Sequence, residues 1–133
     1  MLRAALGTAL WQALTVARTE VLRAYRSATW ASYNANRDLV KGWIWHGAAD
    51  GRMCAMCWAM HGTVHPVEEP LNDHHNGRCV AIPLVRGFES PVTQTGAEWF
   101  SQQSEATQRA LMGPGKWNAW REGKIRLEQL TDE

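Results

Sequence analysis

The chain has 133 residues, of which 45% are hydrophobic and 20% charged, and its formal net charge at pH 7 is +1. This length allows one domain with a modest core, and the near-neutral charge excludes a bulk electrostatic attraction to nucleic acid. No apolar run approaches the length of a membrane span, and the first residues lack a signal-peptide pattern, so we expect the three cysteines in a reducing cytoplasm.

The first forty residues are predicted to form one long helix. Leucine, valine and alanine recur at steps of three and four residues, which is typical of one helical face. The repeating positions are Leu2, Leu6, Leu10, Leu14, Ala17, Val21, Ala24 and Ala28. A helix of this length is too long to be covered by so small a domain. We therefore expect it to project, to pack on a neighbouring subunit, or to bend near residues 32–36.

Residues 41–86 have a different pattern, with short aromatic and β-branched runs between turns. Strands are predicted at residues 41–46, 62–65 and 79–85, and Pro83 places the last one at a sheet edge or ends it early. Residues 53–60 suit one or two helical turns. So few short strands cannot bury enough surface to be stable alone. A bound metal would supply the missing free energy of folding.

Cysteine and histidine spacing in this middle segment indicates a zinc site. Cys54 and Cys57 form a C-x-x-C pair, and Cys79 follows a polar loop that also carries a histidine pair. With His74 as the fourth ligand the site is closed, as structural zinc sites are. His75 and His61 are the alternative histidine ligands.

Other interpretations of these cysteines are a redox pair or small core residues. The nearby carboxylates, Glu68, Glu69 and Asp73, are predicted to lie in a turn and not in the wall of a pocket. A zinc deaminase would need a glutamate in a His-x-Glu motif before the cysteine pair, and His46 is followed by Gly-Ala instead. The sequence therefore favours structural zinc over a catalytic ion, and we name no catalytic residue.

Residues 87–133 are predicted to be helical again. Thr95 and Glu98 form a capping-box pattern, and Gly113-Pro114 ends the helix that follows. A shorter helix is predicted at residues 116–122, and a short apolar segment comes last. Taken together, the predicted fold is α+β in one domain of residues 1–133, with a helical segment (1–40), a zinc-clipped antiparallel β module (41–86) and C-terminal helices (87–133).

Eight tryptophans are more than a small domain usually buries, so some are candidates for a protein interface. Trp43 and Trp45 lie on one side of a predicted strand and are expected in the core. Arg78, next to Cys79, is expected to support the thiolate electrostatically from outside the ligand set. The candidate interface residues are Trp11, Trp30, Trp117, Trp120, Arg18 and Glu20, and the last two are also suited to a salt bridge on the helix surface.

The motifs, in this order, resemble the Mu F-like phage head morphogenesis (minor head protein) family. The resemblance rests on Arg18-Thr-Glu, Gly42-Trp-Ile-Trp, Asp50-Gly-Arg-Met-Cys-Ala-Met-Cys-Trp-Ala-Met-His-Gly, His74 with Arg78-Cys79, and a Leu111-to-Lys124 ending rich in glycine, tryptophan and basic residues. It covers the chain from about residue 15 onward. One departure is Gly77, which stands where the family often has an additional cysteine, so that Cys54, Cys57, His74 and Cys79 remain as the four ligands.

The resemblance implies a non-enzymatic minor structural protein of a tailed-phage head. Such a protein would act in head assembly, DNA packaging or ejection on portal or capsid subunits, within the virion and, during assembly, in the host cytoplasm. A homo-oligomer is compatible with it, and contact with DNA is left open. The alternatives are a metal-dependent nuclease of the His-Asn-His type, suggested by residues 73–76, and a toxin-associated binding module.

Overall fold

The computed structural model describes residues 2–74 and 76–131 of the chain. The first two thirds contain both helices and strands, and the described residues that follow form only helices and the turns between them. In chain order the elements are α1 (Leu2–Ala35), β1 (Val40–His46), α2 (Ala55–Met60), β2 (Val64–Pro66), β3 (Val80–Val85), α3 (Gly96–Ser101), α4 (Glu105–Met112), α5 (Pro114–Arg121) and a 3₁₀ helix (Leu127–Thr131). The predicted α+β architecture, with a long first helix and short last ones, is confirmed.

The three strands form one antiparallel sheet in the order β2-β1-β3. Strand β1 is central and almost entirely buried, since it carries Trp43, Ile44 and Trp45. Trp43 pairs with His65 on one side and with Pro83 on the other. Strand β3 is thus an edge strand, which is where a proline is tolerated because it donates no ladder hydrogen bond. The predicted positions of the three strands, of Pro83 and of the two core tryptophans are confirmed.

Helix α1 is continuous over 34 residues, and the chain turns only after Ala35. Polar side chains attach the last turn of α1 to β3 and to the residue that follows β2. The Tyr33 hydroxyl donates to the Ala81 carbonyl oxygen at 2.9 Å, and the Asn34 amide donates to that of Val67 at 2.9 Å. By contrast, the side chains at positions 3–14 are exposed. The helix therefore projects beyond the rest of the described chain, as its length predicted.

The C-terminal helices begin where the sequence placed their caps. Thr95 and Glu98 form the predicted capping box at α3, and α4 ends directly before Gly113. The prediction of a single helix between these two points is wrong. Ser104 accepts a hydrogen bond from the backbone N–H of Thr107 and so starts a new helix, which separates α3 from α4.

Two groups of buried side chains form the core, and α2 contributes to both. The sheet core consists of Trp43, Trp45, Met53, Cys57, Trp58, Leu71 and Cys79. The C-terminal core consists of Ala59, Phe100, Met112, Trp117 and Leu127. Within the described residues, no helix combines the length and apolar character that crossing a bilayer requires.

Candidate metal centre

The C-x-x-C pair lies at the beginning of α2. Cys54 is the N-cap of this helix, in an extended backbone conformation, and its Sγ accepts from the backbone N–H of Cys57 at 3.4 Å. The two sulfurs are 3.4 Å apart. A helix start brings residues three apart in sequence onto one side, so this local structure aims both thiols at the same point.

His74 approaches the same point from the loop between β2 and β3. Its Nε2 lies 3.4 Å from the Cys54 Sγ and 3.2 Å from the Cys57 Sγ. In a tetrahedral zinc site, bonds of about 2.3 Å to sulfur and about 2.0 Å to nitrogen separate the ligand atoms by about 3.5–3.8 Å. The three donors are thus of the right chemical types and close to the right spacing for one tetrahedral ion.

Cys79, the fourth predicted ligand, also lies close to Cys57. It is fully buried just before β3, and its Sγ belongs to a second group, with Cys57 and an oxygen of Asp73, whose atoms lie within 4.8 Å of one another. The two groups of three share Cys57. The structure therefore gathers the four predicted ligands around Cys57, and it adds a carboxylate.

Hydrogen bonds among the three thiols set their protonation. Contact with the Cys57 sulfur lowers the pKa of Cys54 to about 5 and lowers the pKa of Cys79 as well. Its contacts with the same two sulfurs, and then burial, raise the pKa of Cys57, so that this thiol keeps its proton. A cation bound here would replace the thiol protons, as thiolate coordination requires.

Asp73 occupies a place that the sequence did not predict. Its side chain is completely buried, not in an exposed turn, and its Oδ2 lies 2.9 Å from the Arg26 Nη2. The same Oδ2 accepts from the backbone N–H of Cys79 at 3.1 Å, and Oδ1 accepts from that of His74 at 2.9 Å. Fully engaged in this way, the carboxylate is poorly suited to act as the base of a nuclease. Sequence patterns missed it because its partner Arg26 lies on a distant helix.

Neither alternative histidine is found in the described thiol cluster. His75 lies outside the described residues. His61 is buried beside His46 and Trp58, and its Nδ1 accepts from the backbone N–H of Gly47 at 3.1 Å, so it does not belong to the thiol cluster. Burial, and next the neighbouring His46, lower its pKa.

Arg78 makes a two-pronged ion pair with Asp50, with both N–O distances at 2.7 Å. This pair holds the pKa of the Asp50 carboxyl well below its usual range. Arg78 also lines a cavity of about 60 Å³ beside Cys54, Cys57 and Cys79. The prediction that it supports the Cys79 thiolate stays a prediction.

The candidate interface residues differ in exposure. Trp11 is 62% exposed, and Trp30 is 37% exposed although its indole N–H donates to the Glu68 carbonyl oxygen. Arg18 is exposed too, and Glu20 forms a surface salt bridge with Arg23 at 2.7 Å instead of with Arg18. Trp11, Arg18 and Glu20 are therefore exposed and stay candidates for a protein interface.

For the two C-terminal tryptophans the expectation of an interface is partly wrong. Trp117 is only 4% exposed, because its ring packs between the guanidinium groups of Arg109 and Arg121 and its N–H donates to Gln108. Trp120 is half-buried and packs edge-on against Phe100. Trp117 is therefore a core residue of the C-terminal helices.

One apolar surface of α1 is uncovered. We call it the outer stripe, and its members are Leu6, Leu10, Leu14, Ala17, Val21, Ala24 and Ala28, all of them exposed. Ala24 and Ala28 each lie two residues from Arg26, which corresponds to about 200° around the helix. Since Arg26 contacts the loop before β3, the outer stripe faces away from the sheet.

Comparison with known proteins gives one match. Residues 3–82 match the family described as phage Mu protein F like protein. The matched part begins in α1, contains the strands β1 and β2 and all four predicted ligands, and ends within β3. No curated protein and no solved structure matches the chain.

Proposed function

Because this chain belongs to the family of phage Mu protein F-like proteins, a phage head-related family, we propose that it is a minor structural protein of a tailed-phage head. It has no reaction of its own and acts in head assembly, DNA packaging or ejection. Its partners are portal or capsid subunits, so it resides in the virion and, during assembly, in the host cytoplasm.

The observation that carries this proposal is the outer stripe. Its four large side chains are 42–68% exposed, with Leu14 at the lower end and Val21 at the upper. From Leu6 to Ala28 the stripe is about 33 Å long, at 1.5 Å of rise per residue. A continuous apolar surface of this kind on a helix marks a protein interaction site. An apolar groove or a helix on a head subunit fits it, because such surfaces recognise residues spaced three and four apart.

The metal in this proposal is zinc in a structural role. Two thiolates, a third cysteine and an imidazole form a soft donor set of the kind that selects zinc over hard cations. Cys54, Cys57, His74 and Cys79 would hold it, and the ion would fix the loop before β3 to the start of α2. No ligand position is left for a substrate when all four bind, which suits a protein that stabilises an assembly.

The docking proposal is tested by co-expression with the portal and capsid proteins of the same phage, followed by affinity purification and sedimentation. Leu10→Glu and Val21→Glu place a charge in the outer stripe and are expected to weaken association at least tenfold, since a buried unpaired charge is costly. Gln12→Glu is the matched control, because Gln12 is exposed on the same helix about 160° from the middle of the stripe. Equal binding by all three variants would refute docking through this surface.

Elemental analysis of the purified chain tests the metal independently. We expect about one zinc per chain in the unaltered protein and a large loss of it in Cys54→Ser and Cys79→Ser. A metal-free protein that melts at the same temperature before and after treatment with a chelator would refute the structural role of zinc.

A further inference from the structure

Arg26 connects α1 to the loop that carries two of the candidate ligands. We call residues 73–79 the ligand loop. The Arg26 Nε and Nη2 donate to the Cys79 carbonyl oxygen at 2.9 and 2.8 Å, and Nη2 also donates to that of Gly77 at 3.0 Å. The same Nη2 forms the ion pair with Asp73. One guanidinium group therefore holds both ends of the ligand loop.

Asp73 transmits this contact to the ligands themselves. Its two oxygens accept from the backbone N–H groups of His74 and Cys79, so that the Arg26–Asp73 pair fixes the backbone at both ligands. The Arg26 side chain is 9% exposed and that of Asp73 is fully buried. In such a setting the arginine also offsets negative charge, because the Asp73 Oδ1 lies only 4.0 Å from the Cys57 Sγ. Without Arg26, the buried Asp73 carboxylate would lie beside the cysteine thiolates with no positive side chain to offset their charge, which is costly.

The middle of α1 has one further hydrogen bond to the ligand loop. The buried Thr19 accepts, through its Oγ1, from the backbone N–H of Asn76 at 2.9 Å. Thr19 and Arg26 are seven residues apart, or about two helical turns, and so lie on the same side of α1. Thr19 and Arg26 thus attach the middle of α1 to the backbone of the ligand loop. These hydrogen bonds form only while the ligand loop keeps its conformation.

We propose that Arg26 is a positioning residue that couples metal binding at the candidate centre to the attachment of α1 to the ligand loop. A metal that orders the ligand loop presents the Cys79, Gly77 and Asp73 oxygens to Arg26, and so strengthens the attachment of the helix. By thermodynamic reciprocity, attachment of α1 to the ligand loop strengthens metal binding by the same factor. Metal loading would in this way set the position of the outer stripe. The inference rests on the metal site in the proposed function and goes beyond it by assigning a role to α1.

The test measures the zinc dissociation constant by competition with a coloured chelator in the full-length chain. Arg26→Gln is expected to weaken zinc binding about 10- to 100-fold, as the loss of groups that support metal ligands does. Arg23→Gln is the matched control, because Arg23 is one turn away on α1, is exposed and, within the described part of the chain, forms its salt bridge with Glu20 on the helix surface. The zinc affinity of this variant should equal that of the unaltered protein. Arg26→Lys keeps the charge but not the forked geometry of the guanidinium group, so its zinc dissociation constant should lie between those of Arg26→Gln and Arg23→Gln.

Hydrogen exchange provides a second measurement that a merely destabilised variant would not reproduce. At a temperature at which the metal-free protein remains folded, removal of zinc from the unaltered protein should speed amide exchange in residues 15–35 of α1. In Arg26→Gln, at a temperature where it remains folded, exchange in this segment should be fast with and without zinc. The inference is overturned if Arg26→Gln and Arg23→Gln bind zinc equally, or if zinc leaves exchange in α1 of the unaltered protein unchanged. Absence of zinc binding in the unaltered protein would instead refute the proposed metal role.

Discussion

Gly77 shows how closely the ligand loop is fitted around Asp73. A β-carbon at this position would overlap the Asp73 carboxylate, which is held in place by Arg26 and two backbone N–H groups and so has no room to withdraw. The space that a side chain would need is filled by the buried carboxylate.

The substitution Gly77→Ala is therefore expected to destabilise the protein by about 1–3 kcal/mol, the usual range for overpacking a tight site. It should also weaken zinc binding, because relief of the overlap moves Asp73 away from the backbone of His74 and Cys79. Denaturant unfolding with zinc present measures the first effect, and chelator competition the second. Gly115→Ala is the control, since a β-carbon there meets no atom within 4 Å. If both variants unfold at the same denaturant concentration, the loop is looser than the structure indicates.

Residue by residue, the sequence predicted what depends on local chemistry and missed what depends on distant partners. Cys54, Cys57, His74 and Cys79 could be proposed as ligands from the sequence because thiols and imidazoles at this spacing are typical of zinc sites, and their binding of a metal stays a prediction. The Arg26–Asp73 pair could not, because 47 residues separate its members and neither one stands in a recognisable motif. Burial of Trp117 was missed for a different reason: Gln108 and Arg109 are near it in sequence, but only the packing of α4 against α5 brings them to its ring.

At the level of elements, α1 is one continuous helix with two structurally different halves. Its first half is exposed, and its hydrogen bonds to the rest of the described chain involve Thr19 and residues beyond it. Isolated helical segments gain little stability from propensity alone, so an exposed half contributes little to the folded state. Its apolar residues are more useful to a partner than to the fold.

Deletion of residues 1–14 is accordingly expected to leave folding nearly unchanged. The shortened chain should melt within a few degrees of the full chain and bind the same amount of zinc, because its sheet, its ligands and Arg26 remain. Its association with the head subunit should fall at least tenfold, since Leu6, Leu10 and Leu14 of the outer stripe are lost. Thermal melting, elemental analysis and co-purification measure the three quantities. A large drop in melting temperature would mean that this segment packs on its own domain.

Element positions were predicted well where hydrophobic periodicity and caps agree. The strands, the capping box at Thr95 and the stop at Gly113 follow from such signals. The division between α3 and α4 was missed because Ser104 has two local uses: within a helix it is tolerated, and as an N-cap it starts one. Only the packing of Phe100 and Met112 into one core selects the second use.

For the molecule as a whole, α2 is the element that joins the two cores. Cys57 and Trp58 belong to the sheet core and the next residue, Ala59, to the C-terminal core. Trp58 also stacks on Trp99 of α3, with their ring centroids 3.5 Å apart and their planes nearly parallel. Gly96 lies so close to the Trp58 carbonyl group that it leaves no room for a side chain, which fixes the start of α3 against the end of α2. A disturbance at Cys57 therefore reaches both cores through one short helix.

Removal of zinc is expected to unfold the two cores together. A ligand that binds only the folded state contributes about 4 kcal/mol at a free concentration a thousand times its dissociation constant, so chelation should lower the melting temperature by many degrees. Chelation removes the connection between α2 and the ligand loop. Amide exchange should therefore rise in β1 and in α5 at the same temperature, because all elements of a two-state domain unfold in one transition. Hydrogen exchange read by mass spectrometry at several temperatures, with and without a chelator, follows both segments. If α5 stays protected after β1 has opened, the C-terminal helices form an independent unit and residues 1–133 are not one cooperative domain.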